Sequence, residues 1–543
     1  MLIGEIISRR AAISPDFTYW RQGDQRLTYE WFGRQSNRVA HGLLREAGGP
    51  PPRDWMAGVF CGNHPAYPAV FFGAAKAGVV LVHLNDRYGP RSLAQTVAHA
   101  GCRVGFVDMA RLKVVEEALA DRETRQSIQV QTWVVVDPPV GEALPGWAVA
   151  WEDWLSGNSG EEPPPLENTR ETDPFQLLYT SGTSGEPRGV LISHASKIRL
   201  ATTHALNIGL NADSRVVSAL PLCHHFAQWL NMVALPLVGG MLVSLPHFDP
   251  QAIWYVMSRH GITHLPGVPT MLRRLLDVPG SERGAANDLE QIVYGGEPAD
   301  ELLVNRLKAR FPGVRLFQGL GQTETGYYLG LHTPDHNLSP RSVGRPDVFS
   351  EVRLVDEAGK NVPDGQVGEI IARTPYMMNG YYKDDAATAD YHRFGALWGA
   401  TGDMAWKDPK GYYYLAGRKS DLIISGGINI HPVEVEKTLL AHDQVVDAAV
   451  VGMPDTQWGE AVWAAVVLRS PNGLSQPQGG SHPGLEKELL DFCHTRLEGY
   501  KIPRRITFLA RLPRNAGGKV VRLDVKAILS GERPPPGAEG VKA

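Results

Sequence analysis

A run of glycine and hydroxyl residues between two apolar segments constrains the fold of this sequence most strongly. The run is YTSGTSGEPRGV, residues 179–190, and it continues FQLLYT, residues 175–180, which has a strand pattern. Glycines let backbone N–H groups approach an anion closely, and hydroxyl groups add donors. The pattern predicts a polyphosphate loop after a strand. It is not a GxxxxGK[ST] loop, because Pro187 and Arg188 stand where that motif has Gly-Lys. A flexible linker is the alternative, which the apolar flanks disfavour.

Helix and strand patterns alternate through the first part of the chain. Residues 66–78 have a buried-helix pattern that ends at glycine, and residues 79–84 have a buried-strand pattern. Two further strand patterns, CRVGFVD and IQVQTWVVVD, follow downstream. Such alternation predicts an α/β sheet with helices packed on its faces.

The pattern changes late in the chain. Residues 352–373 contain strand patterns separated by DEAGK and PDGQ turns, which is typical of a β-rich subdomain. Beyond residues 418–421 a helix, two strands and another helix predict a separate α+β domain. The domain boundaries that we predict are 1–419 for the N-terminal domain, 420–530 for the C-terminal domain and 531–543 for a disordered tail.

Composition and charge exclude several classes of protein. The 54 Lys and Arg against 58 Asp and Glu leave a formal charge of −4, so no global field favours nucleic acid or anionic membrane. The four cysteines form no CxxC motif, which argues against a zinc knuckle or a disulfide framework. The apolar stretch 232–245 is too short for a membrane span, and Glu5 disfavours a signal peptide. We expect a cytoplasmic protein with no membrane span and no nucleic-acid partner; a homodimer is left open.

The phosphate-loop segment resembles the signature of the adenylate-forming superfamily, which includes acyl-CoA and aryl-CoA ligases. Five further segments resemble motifs of that superfamily and occur in the same order. They are PLCHHF (221–226), GGEPAD (295–300), QGLGQTE (318–324), TGD (401–403) with GRKSDLIISGGINIHPVEVE (417–436), and PRNAGGK (513–519).

The resemblance implies a fold and a reaction. The fold is α/β: a large N-terminal domain of two α/β sheets and a β-barrel-like subdomain, with a small mobile α+β C-terminal domain. In the reaction, a carboxylate attacks the α-phosphorus of ATP, giving acyl-AMP and pyrophosphate, and the thiol of CoA then takes the acyl group and releases AMP. Because a carboxylate is ionised near neutral pH, the first half needs positioning and charge neutralisation and no general base.

The resemblance assigns the contacts to the reacting groups. Lys519 is the mobile lysine that bridges the carboxylate and the α-phosphate, and Thr323 touches the α-phosphate. Glu324 binds Mg²⁺, a cation that takes few protein oxygens in such sites. His224 matches the gate histidine of the PLFH motif. Because Lys519 and the CoA-facing turn must serve one site in turn, a hinge is expected near Ser420.

The resemblance also implies a nucleotide site. Asp403 accepts hydrogen bonds from both ribose hydroxyls, and Arg418 joins it. The whole ATP and AMP set is Thr180, Ser181, Gly182, Thr183, Ser184, Gly185, Arg188, Gly296, Glu297, Pro298, Gly319, Leu320, Gly321, Asp403 and Arg418.

Two more sets concern CoA and the acyl group. The glycines of the SGG turn let pantetheine pass close to the backbone, and a tryptophan stacks on the CoA adenine. The CoA set is Gly426, Gly427 and Trp458, and the acyl-pocket set is His225, Phe226, Tyr294, Gly295 and Gln322. This pocket suits an aromatic acid or a medium-chain acid with polar groups, and the similarity of the GGINIHPVEVE segment to halobenzoate ligases favours the aromatic acid.

The sequence departs from the family pattern at two positions and leaves two alternatives open. Arg188 replaces the usual lysine, and Leu320 replaces the aromatic residue that stacks on adenine, so ATP affinity or pyrophosphate release is expected to differ. Trp458 favours free CoA as the acceptor over a carrier-protein thiol, which remains an alternative. A nucleotide-binding protein without ligase activity is the alternative from another class.

Overall fold

The structure is a computed structural model that describes residues 1–138, 143–181, 187–279, 286–297, 299–339, 341–426, 428–469, 483–514 and 520–535. The chain divides into two compact units. The first comprises Met1–Val352 and Ala372–Ala400, and the second comprises Arg353–Ile371 and Thr401–Ala543. The boundary between residues 419 and 420 stays a prediction.

The strands are short and connected mainly by helices, as the sequence pattern predicted. In chain order they are β1 Thr18–Gln22, β2 Gln25–Thr28, β3 Met56–Phe60, β4 Val80–His83, β5 Cys102–Asp108, β6 Thr132–Val136, β7 Ala148–Ala150, β8 Pro174–Ser181, β9 Pro187–Ser193, β10 Arg215–Ser218, β11 Met241–Ser244, β12 His264–Gly267, β13 Gln291–Gly295, β14 Arg315–Gln322, β15 Gly326–His332, β16 Glu351–Val355, β17 Gly368–Arg373, β18 Gly380–Tyr381, β19 Gly399–Lys407, β20 Tyr413–Arg418, β21 Ile423–Ser425, β22 Ile428–Ile430, β23 Val445–Asp455, β24 Gly459–Leu468 and β25 Arg505–Phe508.

The α-helices follow the same order. They are α1 Ile3–Ile13, α2 Tyr29–Ala47, α3 Ala66–Ala77, α4 Pro90–Ala100, α5 Met109–Ala120, α6 Arg122–Ser127, α7 Trp151–Leu155, α8 His194–Ile208, α9 His225–Ala227, α10 Leu235–Val238, α11 Pro250–His260, α12 Pro269–Leu276, α13 Glu301–Arg310, α14 Thr333–Leu338, α15 Asp385–Tyr391, α16 Pro432–Leu440, α17 Pro483–His494 and α18 Arg522–Ser530. A π-helical segment, Gln228–Ala234, follows α9 directly, and 3₁₀ turns span Lys419–Asp421 and Gly499–Lys501. No helix in the described ranges is both long and apolar enough to span a membrane.

The first unit contains two eight-stranded sheets. The strand orders are β15-β14-β13-β12-β10-β11-β1-β2 and β18-β9-β8-β4-β3-β5-β6-β7. The inner strands of both sheets pair in parallel, whereas β2, β15, β9 and β18 pair antiparallel at or near the edges. The predicted pair of α/β sheets is thus confirmed.

The core of the first unit lies between these sheets. One apolar cluster joins Trp20 of the first sheet, Phe106 of the second and Phe71 of α3, all fully buried. Each such aromatic side chain contributes about 1.5–3 kcal/mol on burial. Helix α3 is buried along its whole length and is apolar except for Lys76, and it ends where Gly78 takes a φ of 72°, as the sequence predicted.

Helix α8 carries two of the buried polar residues discussed below, Lys197 and His204. The Ser193 hydroxyl caps its first turn by accepting a hydrogen bond from the Ser196 N–H at 3.1 Å, and the helix ends at Gly209, with φ of 71°. Because residues seven apart share one helix face, Lys197 and His204 are presented together. Both are buried.

The second unit contains the C-terminal α+β fold. Strands β22-β21-β24-β23 form a sheet to which β25 adds in parallel on β24. Two apolar clusters pack on its opposite faces: one includes Val435 of α16 and Leu489 of α17, and the other includes Val525 of α18.

The β-rich region predicted for residues 352–373 is part of a four-stranded sheet, β16-β17-β19-β20, most of which belongs to the second unit. Over the residues that the structure describes, this sheet is open. The expectation of a barrel-like subdomain is therefore corrected to a small open sheet.

Candidate active site

The phosphate loop connects two antiparallel strands. Strand β8 leads into it and β9 leaves it, and Thr180 pairs with Arg188 while Ser181 pairs with Pro187. This register brings the backbone of Thr180 and Arg188 to the mouth of the loop. The predicted residues Gly182, Thr183, Ser184 and Gly185 lie outside the described residues.

Glu324 lies in the turn between β14 and β15 and is held from two sides. Its carboxylate Oε1 accepts a hydrogen bond from the Tyr381 hydroxyl at 3.1 Å, and its carbonyl oxygen accepts one from the Met378 N–H at 2.8 Å. Glu324 is half-buried and forms no ion pair within the described chain. Burial and the adjacent Glu324 carboxylate raise the pKa of Tyr381, so this phenol stays protonated and donates.

Arg188 also lies beside Tyr381. Its guanidinium carbon is 5.6 Å from the centroid of the Tyr381 ring, and its Nε is 3.7 Å from Asp384 Oδ2. A cation at this distance is attracted by the ring face. The Arg188 guanidinium and the Glu324 carboxylate therefore both lie beside Tyr381. Arg188, which replaces the usual lysine, also has Asp384 as a partner.

Tyr381 and Asp384 were missed by the sequence analysis. Strand β18 brings them there because it pairs with β9, with Tyr381 opposite Val190. The signal in the sequence is the segment NGYYKDD, residues 379–385, in which an aromatic pair is followed by two carboxylates. Pairing between strands almost 200 positions apart is what the sequence pattern could not supply.

The ends of β13 and β14 form a glycine-rich edge. A Cβ on Gly295 would lie 2.4 Å from the carbonyl oxygen of Gly319, and one on Gly321 would lie 2.3 Å from that of Gly326. These positions exclude side chains because the backbone of the neighbouring strand lies so close. Leu320 pairs with Leu329 on β15. Thr323 and Gln322 are half-buried beside this edge.

The predicted adenine loop is described only in part. Gly296 is exposed with φ of 82°, a conformation that favours glycine. Glu297 directs its carboxylate to Thr270, accepting from the hydroxyl at 2.7 Å and the N–H at 3.2 Å. Its side chain thus fastens the loop to the start of α12. Pro298 lies outside the described residues.

The predicted acyl-pocket residues are not all brought together. Phe226 stacks on Trp229 of the π-helical segment, with ring centroids 5.4 Å apart and an interplanar angle of 16°. Tyr294, in contrast, packs in a second core cluster with Ile292, and its hydroxyl is 2.6 Å from His336 Nε2. The alternation of side chains along β13 directs Tyr294 to the face opposite Val293, which shares its cluster with Phe226. Tyr294 is therefore removed from the pocket lining.

His224 and His225 lie at the start of α9. His224 precedes the first helical residue, and its N–H donates to the Pro221 carbonyl at 3.0 Å. Both histidines are half-buried. Burial and the Lys197 ammonium hold the pKa of His225 well below its usual range, so this imidazole is neutral at pH 7.

The second unit holds the predicted ribose pair. Strands β19 and β20 place Asp403 directly opposite Arg418, and Asp403 Oδ1 lies 2.7 Å from Arg418 Nε. Asp403 is only 5% exposed, and its N–H donates to the Thr401 hydroxyl at 3.1 Å. The two residues that the sequence analysis joined are thus in contact.

The predicted CoA residues Gly426 and Trp458 also touch one another. The Gly426 N–H donates to the Trp458 carbonyl at 2.7 Å, and a Cβ on Gly426 would lie 2.7 Å from the indole. The indole is 39% exposed, and the guanidinium of Arg504 is 5.5 Å from its ring. Arg504 was missed by the sequence analysis. Gly427 and Lys519 lie outside the described residues.

A buried ion network stabilises the second unit near the predicted hinge. Arg522 Nε is 2.9 Å from Asp421 Oδ2, and Arg522 Nη1 is 2.5 Å from Glu436 Oε1. These carboxylates raise the pKa of Arg522 further, so it stays charged. Lys419 reaches Glu369 at 3.1 Å, and Ser420 lies within the 3₁₀ turn between these contacts.

Comparisons with known proteins agree with this arrangement. The model of the AMP-binding enzyme family matches residues 7–382, and that of the AMP-binding enzyme C-terminal domain matches residues 434–519. The chain therefore belongs to the adenylate-forming superfamily of AMP-binding enzymes.

Characterised relatives match over nearly the full length. A feruloyl-CoA synthase from Amycolatopsis is 34% identical over 522 residues, covering 95% of this chain and 97% of that protein. An indoleacetate–CoA ligase from Aromatoleum aromaticum is 32% identical and covers 98% of each chain. Among solved structures, the anthranilate CoA ligase in complex with anthranoyl-AMP superposes with a TM-score of 0.85 at 26% identity, covering 98% of each chain.

Proposed function

We propose that this protein is an ATP-dependent acid–CoA ligase that activates an aromatic carboxylic acid as acyl-AMP and then transfers the acyl group to CoA. The class of enzyme follows from family membership, since relatives matched over almost the whole chain are acid–CoA ligases. The observation that carries the proposal is the Glu324 carboxylate fixed by Tyr381 beside Arg188, where the phosphate-loop strands meet β18.

In the first half-reaction the protein has to hold the triphosphate and neutralise its charge. Backbone N–H groups of the phosphate loop and the Arg188 guanidinium bind the phosphate oxygens, while Thr323 contacts the α-phosphate. The carboxylate of the acid attacks the α-phosphorus, and pyrophosphate leaves with the P–O bonding pair. Lys519 bridges the attacking carboxylate and the α-phosphate.

Glu324 suits Mg²⁺. One of its oxygens is fixed by the Tyr381 hydroxyl, and the carboxylate forms no ion pair in the described ranges, so an oxygen ligand is available. Magnesium binds proteins through one or two carboxylates and keeps phosphate and water ligands. When bound, it withdraws charge from the phosphate oxygens.

Asp403 and Arg418 hold the ribose, with the Asp403 carboxylate accepting from the hydroxyls. In the second half-reaction the CoA thiol sulfur attacks the acyl carbon, its proton passes to solvent, and AMP leaves with the C–O bonding pair. We assign the exposed Trp458 indole to the CoA adenine and the neighbouring Arg504 to a CoA phosphate.

We place the enzyme in the cytoplasm, where ATP and CoA are available. Cys61, Cys102, Cys223 and Cys493 are all free and buried, which suits a reducing compartment.

AMP release tests the proposal. The protein is mixed with ATP, Mg²⁺ and CoA and a panel of benzoates, cinnamates and fatty acids, and AMP and acyl-CoA are measured. We expect both products with an aromatic acid. AMP that appears only when a carrier protein replaces CoA identifies the carrier as the acceptor, and ATP binding without turnover across the panel overturns ligase activity.

A variant pair tests the role of Glu324. Glu324→Gln keeps the shape of the side chain and removes its charge, so acid-dependent ATP–pyrophosphate exchange should fall by at least about 100-fold. The matched control is Glu116→Gln, an exposed glutamate on α5. Equal activity of the two variants contradicts the assignment.

A further inference from the structure

Lys197 is a fully buried amine that the reaction described above does not use. Its Nζ donates to Gln228 Oε1 at 2.9 Å, and within the described ranges this is its one hydrogen bond and it has no carboxylate partner. Burial holds the pKa of Lys197 well below its usual range. Since a buried amine with unfilled donors costs free energy, its environment calls for an acceptor.

The groups around Lys197 are imidazoles and amides. Burial, and after it the charge of Lys197, holds the pKa of both His83 and His225 well below its usual range, and burial lowers the pKa of His204 to about 3. His204 Nδ1 and His225 Nε2 are buried and have no hydrogen-bond partner in the described part of the chain. This cluster, which we call the Lys197 cluster, comprises Lys197, His83, His204, His225 and Gln228. It contains donors and neutral imidazoles but no carboxylate.

An aromatic wall borders the Lys197 cluster. The His204 ring stacks on Trp229 with centroids 4.0 Å apart and an interplanar angle of 13°, and Phe226 also stacks on that indole. Tyr327 approaches His204 with ring centroids 4.7 Å apart. Flat side chains in this arrangement favour an aromatic ligand.

The wall also adjoins the glycine edge, where Gly295 and Gln322 are predicted acyl-pocket residues and Gly319 is a predicted nucleotide residue. A Cβ built on Gly319 would lie 3.6 Å from Tyr327 Cδ2 and 3.9 Å from His204 Cε1. Because Gly319 has no side chain, a ligand at this edge can reach His204. The Lys197 cluster therefore continues the predicted acyl pocket through His204 and His225.

We infer that the aromatic acid activated by this enzyme carries an oxygen acceptor remote from its reacting carboxyl group, either a phenolic hydroxyl or a second carboxylate, and that Lys197 binds this oxygen. The inference rests on the proposed ligase function and names its class of substrate. The ring lies against the aromatic wall, and the remote oxygen accepts a hydrogen bond from the Lys197 ammonium. Gln228 holds the lysine side chain in place through its Oε1.

The size of the expected preference follows from the chemistry. A buried site built to hydrogen-bond a substrate group rejects an analogue that lacks the group, because the site's polar atoms are then left unpaired; the discrimination can reach about 10⁴-fold. We expect a preference of at least about 100-fold in kcat/KM.

Matched acids and one substitution test the inference. Benzoate, cinnamate and their 4-hydroxy and 4-carboxy derivatives are compared by AMP release with ATP, Mg²⁺ and CoA. Wild-type protein should prefer the hydroxy or the carboxy member of a series, and the preferred member identifies the acceptor. Lys197→Met, which keeps the approximate length of the side chain, should abolish the preference between the unsubstituted acid and its preferred derivative.

Three outcomes overturn the inference. If wild-type protein turns over unsubstituted acids as well as substituted ones, the inference is wrong and the proposed ligase function is unaffected. An unchanged preference in Lys197→Met removes the role of the lysine. AMP release with no acid of the wider panel ends the proposed function, and the inference falls with it. Should thermal melting show that Lys197→Met is unfolded, Lys197→Gln is scored by the same comparison.

Discussion

Asp403 and Lys197 are both buried ionisable side chains, but their surroundings differ. Asp403 contacts the guanidinium of Arg418 at 2.7 Å in a strand pair of the second unit. Lys197, on α8 of the first unit, has Gln228 as its described partner and neutral histidines around it. The charge of Asp403 is balanced by the protein itself, whereas Lys197 has no carboxylate partner among the described residues, and we propose that a bound substrate supplies its acceptor.

This difference separates stability from function. A paired charge can contribute to stability because its partner replaces water. A buried amine without a counter-charge costs stability and persists where a ligand uses it. The predictions below test this distinction, beginning with the largest expected effect.

Acid should destabilise the first unit through its buried histidines. The folded pKa of His204 is about 3, against 6.5 for an ordinary histidine. Between these values the unfolded state binds a proton that the folded state does not, so stability is full above pH 6.5 and falls as the pH drops. The loss is about 1.4 kcal/mol per pH unit, or roughly 3 kcal/mol between pH 6.5 and 4.5.

The variant His204→Phe isolates this contribution, because a phenyl ring can keep the stack on Trp229 and cannot titrate. Urea denaturation from pH 4.5 to 7 should give a shallower pH dependence for this variant than for wild-type protein. His260→Phe, at the end of α11, is the comparison, since His260 is only partly buried. Parallel pH curves for wild type and His204→Phe contradict a neutral buried His204.

Removing the charge of Asp403 should destabilise the second unit. Asp403→Asn leaves Arg418 without its carboxylate partner, and a hydrogen bond to a charged group is worth about 2 kcal/mol. We expect a lower urea midpoint and a higher KM for ATP. Glu357→Gln, an exposed glutamate of the same unit, should change neither quantity. A midpoint for Asp403→Asn equal to that of wild type would mean that the pair does not stabilise the unit.

Lys197→Met should change stability in the opposite direction. Replacing a buried amine by an apolar side chain of similar length removes a desolvation cost, although Gln228 loses its donor, so we expect a gain of about 1 kcal/mol in the free energy of unfolding. Thermal melting without substrate measures it. Lys113→Met, on the exposed face of α5, is the matched control and should leave the melting temperature unchanged. A loss of stability in Lys197→Met would show that the amine is balanced by the protein.

The Asp403–Arg418 pair and the Lys197 cluster also differ in how much of their structure could be predicted from the sequence. Asp403 and Arg418 were predicted as ribose-binding residues because short motifs contain them. The antiparallel pairing of β19 with β20 brings the two side chains into contact. Helix α3 with its terminal Gly78 was likewise local in origin. In each case the residues that determine the local structure lie within a few positions of one another or within one motif.

The Lys197 cluster depends on distant segments and was not predicted. Lys197 and His204 lie on α8, Gln228 on the π-helical segment and His83 on β4, so only the tertiary fold joins them. Tyr294 packs in a different cluster from Phe226 for a related reason. The sequence placed it near the pocket, but which face of β13 it occupies depends on strand register, and the structure directs it to His336.

The remaining expected effect concerns the Tyr381 hydroxyl and is on the rate of the reaction, with little effect on stability. Tyr381→Phe keeps the ring beside Arg188 and removes the donor to Glu324, which is worth about 1.4 kcal/mol, or about tenfold in rate. Acid-dependent ATP–pyrophosphate exchange should fall by that factor with little change in melting temperature. Tyr382→Phe is the matched control, because the neighbouring hydroxyl donates to the Ala100 carbonyl instead. Equal exchange rates in the two variants would mean that Glu324 is positioned by its backbone contact with Met378 alone. No side chain would then fix the Glu324 carboxylate, whereas Arg418 fixes that of Asp403.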